Sequence, residues 1–274
     1  MRVYALIVIL FVLGLFTQCS LKKESTVDAP KQVQVVKYSF ERFSPSCQGD
    51  STDCASFRVN YPILKEYEHS PAQDRINEAI RNEAKQALGV GEPDQDVAAI
   101  SLEEMSMQFF SDYQQMKQET DIRPMAWAVE VDGKLIYQSD EIITVAMNSY
   151  QFTGGAHPNM HTALLNFDRQ TGEQLEWPDI LIDSTAFIHL AEQQFRKARQ
   201  IGSNMALDKA GFFWGGSFHP PANFSLQENG LRLFYNNYEI APYALGPTDF
   251  TINYSHLGDV VKPRFIEQTE QEQE

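Results

Sequence analysis

Positive charge is scarce in this chain of 274 residues: 22 Lys+Arg stand against 37 Asp+Glu, a formal net charge of −15. So acidic a surface repels phosphate backbones and anionic lipid heads, which argues against nucleic acid and favours basic partners. Cysteine is scarcer still, with three in all. The apolar run Tyr4–Phe16 is too short to span a bilayer comfortably. There is no internal repeat, no Gly-x-Ser-x-Gly elbow for a nucleophile, and no Gly-rich phosphate loop between a strand and a helix. What is present is ordinary for a globular protein, 43% hydrophobic and 22% charged, and long enough for one large domain or two small ones.

The first residues set the expected compartment. Arg2 followed by the short apolar run reads as a signal peptide over residues 1–18. Cys19 follows directly, which resembles the lipobox of bacterial lipoproteins, although Phe16-Thr17-Gln18 lacks the usual small residue before the cysteine. Cys19 is thus the expected lipidation site, holding the protein on a membrane surface without a spanning helix. Ser20 at the next position leans towards the outer membrane. Outside the cytoplasm the other two cysteines, Cys47 and Cys54, read as a disulfide closing a small loop; two thiols alone make half a zinc site. Residues 19–36 read as a polar tether and residues 262–274 as an acidic tail.

Between them the pattern is mixed. "FRVNYPIL" alternates like a strand. A first helix is marked by Ser70 as cap, Pro71 in the first turn, Ile76, Ile80, Ala84 and Ala87 on one face, and Gly89 to end it. A second follows the capping box Ser101/Glu104, with Leu102, Met105, Phe109, Tyr113 and Met116 at helical spacing, a stripe that reads as core. A third is capped by Asp183 or Ser184, with Phe187, Leu190, Ala191, Phe195 and Ala198 inward. Asp132-Gly133 and Asn229-Gly230 each read as hairpin turns, and "EIITVAMNSYQF", "HTALLNFD" and "DFTINYS" as strands. The expected fold is α+β, a largely antiparallel sheet packed with about three helices. Two α+β subdomains are expected, over residues 37–130 and 131–261.

The stretch "SYQFTGGAHPNMHTALLNFD" carries the functional question. His157 and His161 would share a metal only on a helix; on a strand they lie about 13 Å apart at about 3.3 Å per residue. Pro158, Asn159 and Met160 between them leave no metalloprotease glutamate, so no metal and no cofactor are expected. Gly154-Gly155 then supplies positive-φ conformations at a strand connection, with His157 anchoring that loop.

These residues, with "YEIAPYALG" later in the chain, resemble a family of bacterial extracytoplasmic domains of unknown function. Together with the upstream part, the likeness is to the extracellular region of RsiV-type lysozyme-sensing anti-sigma factors and to accessory domains of a peptidoglycan deacetylase. It covers nearly the whole chain after the tether. The resemblance implies a non-catalytic envelope lipoprotein that binds a lysozyme-like protein or cell-wall glycan. It places candidate binding residues at Tyr150, Phe152, Gly154, Gly155, His157, Tyr238, Glu239 and Tyr243. The sequence is expected to lack the spanning helix, the sigma-binding segment and the deacetylase domain, so neither that signalling nor that chemistry is implied. The alternative is an enzyme acting on peptidoglycan or polysaccharide, with His157 paired to Asp168 or Glu239. A third reading is a structural envelope protein with no soluble ligand.

Overall fold

In the computed structural model the described residues are 32–47, 53–66, 69–90, 96–119 and 125–266. Cys19, the leader, all but the end of the tether and the tail from residue 267 lie outside them. Gln32–Glu274 group into one compact unit. Its strands form a five-stranded sheet of order β1-β2-β3-β4-β5 and a three-stranded sheet of order β6-β7-β8, among the described residues.

The first sheet comprises β1 (Gln34–Phe43), β2 (Ala55–Lys65), β3 (Trp127–Gln138), β4 (Ile142–Phe152) and β5 (Asn159–Asp168). All its pairings are antiparallel except β2 with β3, which run parallel. That pairing needs a long crossover, and two helices supply it: α1 (Pro71–Gln86) and α2 (Leu102–Glu119). Both begin as their sequences require. Ser70 Oγ accepts the N–H of Gln73 at 3.1 Å, and Ser101 and Glu104 exchange reciprocal bonds at 3.1 and 2.9 Å. Their apolar stripes, Ile76–Ile80–Ala84 and Met105–Phe109–Tyr113, bury against Phe57, Val59, Val129, Val145 and Leu165. Cys47 and Cys54 form a disulfide with their Cα atoms 4.5 Å apart.

Asp132-Gly133 is not a turn. Both residues lie inside the continuous strand β3, opposite Asn148 and Met147 of β4. Glycine is needed there for close approach: a Cβ on Gly133 would stand 2.4 Å from Met147 Sδ and 3.0 Å from Pro62 Cδ. The hairpin comes later, at Ser139–Glu141, where Ser139 Oγ accepts the N–H groups of Glu141 and Ile142. β3 therefore runs across residues 130 and 131; the β3–β4 hairpin already lends Ile142 and Tyr137 to the second core, whose own helices and strands follow β5.

The second core gathers around α3 (Trp177–Ile180), α4 (Ser184–Ala198), the strands β6 (Phe224–Gln227), β7 (Gly230–Tyr235) and β8 (Thr248–Asn253), and α5 (Tyr254–Leu257). Asp183 caps α4 by accepting the N–H of Ala186 at 2.9 Å. Phe187, Ala191 and Phe195 are buried, whereas Ala198, expected inward, is exposed at the frayed last turn. The β6–β7 hairpin turns one residue earlier than expected, on Glu228-Asn229, with Gly230 already in β7 opposite Gln227. At the ends the fold exceeds the expected limits: Val33 and Phe265 are both buried, so it runs through residues assigned to tether and tail.

β6 lies against the face of the first sheet, and buried polar side chains make the junction. Asn166 Oδ1 accepts the N–H of Leu226 at 2.9 Å, and its Nδ2 donates to Phe224 O at 2.8 Å. Thr144 Oγ1 lies 3.1 Å from Leu226 O. Asn166 thus joins the two sheets from within, serving two backbone groups of β6 at once.

Candidate functional site

The β4–β5 connection carries the Gly-Gly-Ala-His sequence. Gly154 and Gly155 have φ of 97° and 105°, the backbone region expected of them. Their turn projects His157 outward, and its ring stacks on Tyr243 at 4.5 Å with planes 10° apart. Tyr243 in turn contacts Tyr238 at 5.6 Å. Two blocks separated by some eighty residues of chain thus meet in one aromatic cluster. Tyr238 is 58% exposed and adopts φ 66°, a costly conformation for a bulky residue and one that recurs at binding sites.

What holds the tyrosine corner there is a pair of asparagines that the sequence reading passed over. Asn236 follows β7; its Nδ2 donates to Thr162 O at 3.0 Å and its Oδ1 accepts the Thr162 N–H at 2.8 Å. Asn223 precedes β6; its Oδ1 accepts the N–H of Leu164 at 2.6 Å and its Nδ2 donates to Thr162 O, also at 2.6 Å. A side-chain amide has the donor and acceptor of a peptide group, so the two complete the free edge of β5 as a neighbouring strand would. The signal was their position, one at each outer end of the β6–β7 hairpin.

Glu239 serves the corner itself. Its Oε2 accepts the N–H of Asn236 at 2.8 Å. Partial burial, which strips water from the charged form, raises its carboxyl above the usual range, opposed by that hydrogen bond and by nearby His219. Beside it the turn at Phe213–Trp214 is also left-handed, with φ of 60° and 35°. It is tied to the corner by Phe213 N–H donating to Ile240 O at 2.7 Å. Trp214 stands 61% exposed, a second feature missed, although "FFWGGS" marks the turn. Among the described residues the buried Asn237 Oδ1, next to Tyr238, has no donor.

Tyr150 and Phe152 are not part of this cluster. Tyr150 sits on β4 between Glu130 and Met160, and Phe152 opposite Ala128, and neither makes a ring contact among the described residues. They belong to the outer face of the first sheet, where Arg58 pairs with Glu130 and Glu41 at 2.6 and 2.5 Å.

Of the carboxylates weighed for His157, Glu239 is engaged in the corner by the Asn236 N–H, and Asp168 lies elsewhere. His161 is on β5 opposite Ser149, and Asp168 ends that strand, so about 30 Å of extended chain separates Asp168 from the loop. Asp168 is buried and structural: it accepts the N–H groups of Gln170 and Thr171, each at 3.0 Å, and pairs with Arg264 at 3.0 Å. Burial alone would raise its carboxyl, but the Thr171 N–H, the Arg264 guanidinium and the Gln170 N–H outweigh it and hold the group below the usual carboxylate range. A depressed carboxylate stabilises the fold above its unfolded pKa, and that stability is lost as pH falls through the folded pKa. Asp168→Asn is therefore expected to cost about 2 kcal/mol near pH 7, a cost that shrinks only as the pH falls below the usual carboxylate range and through the depressed folded pKa. Melting both proteins across that range checks it; a pH-independent gap would contradict the assignment. No group of three or more His, Cys, Asp or Glu side chains that could hold a metal ion occurs among the described residues.

The fold is that of solved proteins of the DUF3298 family. One from Pseudomonas aeruginosa PAO1 aligns with TM-score 0.62 at 20% identity, covering 86% of this chain and 98% of that one. Another from Bacteroides fragilis NCTC 9343 aligns with TM-score 0.64 at 19% identity, covering 88% and 99%. Residues 179–255 match the family profile described as a protein of unknown function, DUF3298, and residues 48–160 match the one described as Deacetylase PdaC. The chain is also 21% identical over 267 residues to the peptidoglycan-N-acetylmuramic acid deacetylase PdaC of Bacillus subtilis (strain 168), covering 96% of this chain. It spans 50% of the length of that relative. The break between the two matched segments falls where the chain passes from the first core to the second.

Proposed function

We propose that this chain is a non-catalytic binding module of the bacterial cell envelope, anchored through lipid on Cys19 and probing its surroundings with the His157–Tyr243–Tyr238 cluster. The carrying observation is that cluster: two distant motif blocks converge on a stack of rings, with His157 and Tyr238 exposed and Tyr243 half-buried, held by strained backbone and a buttress of asparagines. Exposed rigid aromatics suit both sugar faces and protein hot spots. The ligand is a lysozyme-like protein or cell-wall glycan. The first is supported by the acidic charge, which steers basic proteins at low salt, and by the likeness to RsiV-type extracellular regions. The second is supported by the name of the deacetylase relative.

Calorimetric titration with a basic lysozyme, at low and physiological salt, and with soluble peptidoglycan fragments tests this. Saturable binding that survives physiological salt is expected for one of the two. Tyr243→Ala should weaken it by about 30-fold, roughly 2 kcal/mol, and His157→Ala by about tenfold. Heat that vanishes with salt, or binding indifferent to both variants, overturns the reading.

The enzymatic alternative draws support from the same relative. Against its proposed dyad stands the stacking of the His157 ring on Tyr243. Release of acetate or reducing ends from peptidoglycan, abolished in His157→Gln, would establish it.

A further inference from the structure

A groove of about 370 Å³ opens on the helix-covered side of the first sheet, between β1, β2, α1 and the start of α2. It is built from other residues than the aromatic cluster and does not depend on the function proposed for that cluster. Its floor is aromatic. Tyr38 and Tyr61, cross-strand partners on β1 and β2, stack at 4.6 Å with planes 19° apart, and Phe40 continues the surface.

Its wall is cationic. Arg81 and Lys85, four residues apart on α1, share one helix face and both line the groove. Lys85 is 8% exposed, and its ammonium donates to Ala98 O at 2.9 Å. Neither cation has a carboxylate in ion-pair range among the described residues. The carboxylate on the rim, Glu103, is taken by Arg42 at 3.0 Å, and Arg42 itself lies over the Phe40 ring at 4.6 Å. Nearby Glu104 is turned onto Ser101 at 2.7 Å. In a chain of formal net charge −15 this is a local excess of positive charge over an apolar floor.

A buried ammonium with no carboxylate beside it among the described residues gains from a bound anion. The planar fork of Arg81 matches a carboxylate in two-point contact. Three aromatic rings below it match the flat face of a ring, and the volume holds one six-membered ring with room for water. We propose that this groove binds a carboxylate carried on a six-membered ring. The carboxylate lies at Arg81 and Lys85, and the ring face rests on Tyr38.

The test is titration of the intact chain with glucuronate and with benzoate as ring carboxylates, and with glucose, acetate and inorganic phosphate as controls, each up to about 10 mM. One or both ring carboxylates should bind saturably, and the controls at least about tenfold more weakly. Glucuronate alone identifies the source as an acidic sugar, benzoate alone as an aromatic acid. Arg81→Gln, at an exposed helix position that leaves the fold intact, should weaken binding by about tenfold or more. Tyr38→Ala should weaken the ring ligands while leaving acetate unchanged. Acetate or phosphate binding as tightly as the ring carboxylates, no ring carboxylate binding at all, or affinity unchanged in Arg81→Gln overturns the proposal.

Discussion

Asn166→Ala is expected to lower the unfolding free energy by about 4 kcal/mol, because it orphans two buried backbone groups at once at about 1–3 kcal/mol each and leaves a small void besides. The groups are the Leu226 N–H and the Phe224 carbonyl, both on β6 and both served by the Asn166 amide. Asn166 is 1% exposed, so water cannot take over either bond. For a fold of this size the loss corresponds to a melting temperature lower by about 10 °C. Asn166→Asp should not rescue it, since a carboxylate cannot donate to Phe224 O. Thermal unfolding followed by circular dichroism decides the matter. A change below about 1 kcal/mol would mean that the Asn166 bonds contribute little to the sheet junction.

Gly172→Ala is expected to cost about 3 kcal/mol, from strained backbone and overpacking together. Gly172 has φ 75°, and a Cβ there would lie 2.4 Å from the carbonyl oxygen and 2.8 Å from the Cα of Ala72. Those atoms are the first turn of α1, which cannot yield without shifting a helix that packs on the sheet. Gly155→Ala is the control: its φ is 105°, but a Cβ there meets open space, so only the backbone cost of about 1–2 kcal/mol should appear. Equal losses in the two variants would show that the contact with α1 contributes nothing.

Much of the local structure was legible because its causes are local. Ser70, Ser101 with Glu104, and Asp183 cap the helices that their positions announce, and apolar spacing gives the buried faces. The second hairpin turns within one residue of the expected Asn229-Gly230, and the α+β class follows from these elements. Asp132-Gly133 misled for the opposite reason. A dipeptide signals a turn only where the chain is free to make one, and Gly133 owes its place to Met147 on the neighbouring strand. The parallel β2–β3 pairing escaped notice because it is set across a crossover of two helices. At the site, the Gly-Gly turn could be read from sequence, but the landing of Tyr243 on His157 could not. That contact depends on Asn223 and Asn236 gripping β5, and no periodicity marks an asparagine that bonds to a strand sixty or seventy residues before it.

The dependence of β6 on Asn166 and Thr144 also fixes an order of events during synthesis. All five strands of the first sheet leave the ribosome before any of the second, so a finished template awaits the hairpin that needs it. The reverse arrangement has no such protection. A fragment carrying only the second sheet would present β6 with its outer amide and carbonyl groups unpaired, an open edge of the kind that recruits other chains. The segment of residues 179–255, though matched by a family profile of its own, is thus half of a folding unit, and expressed alone it should self-associate.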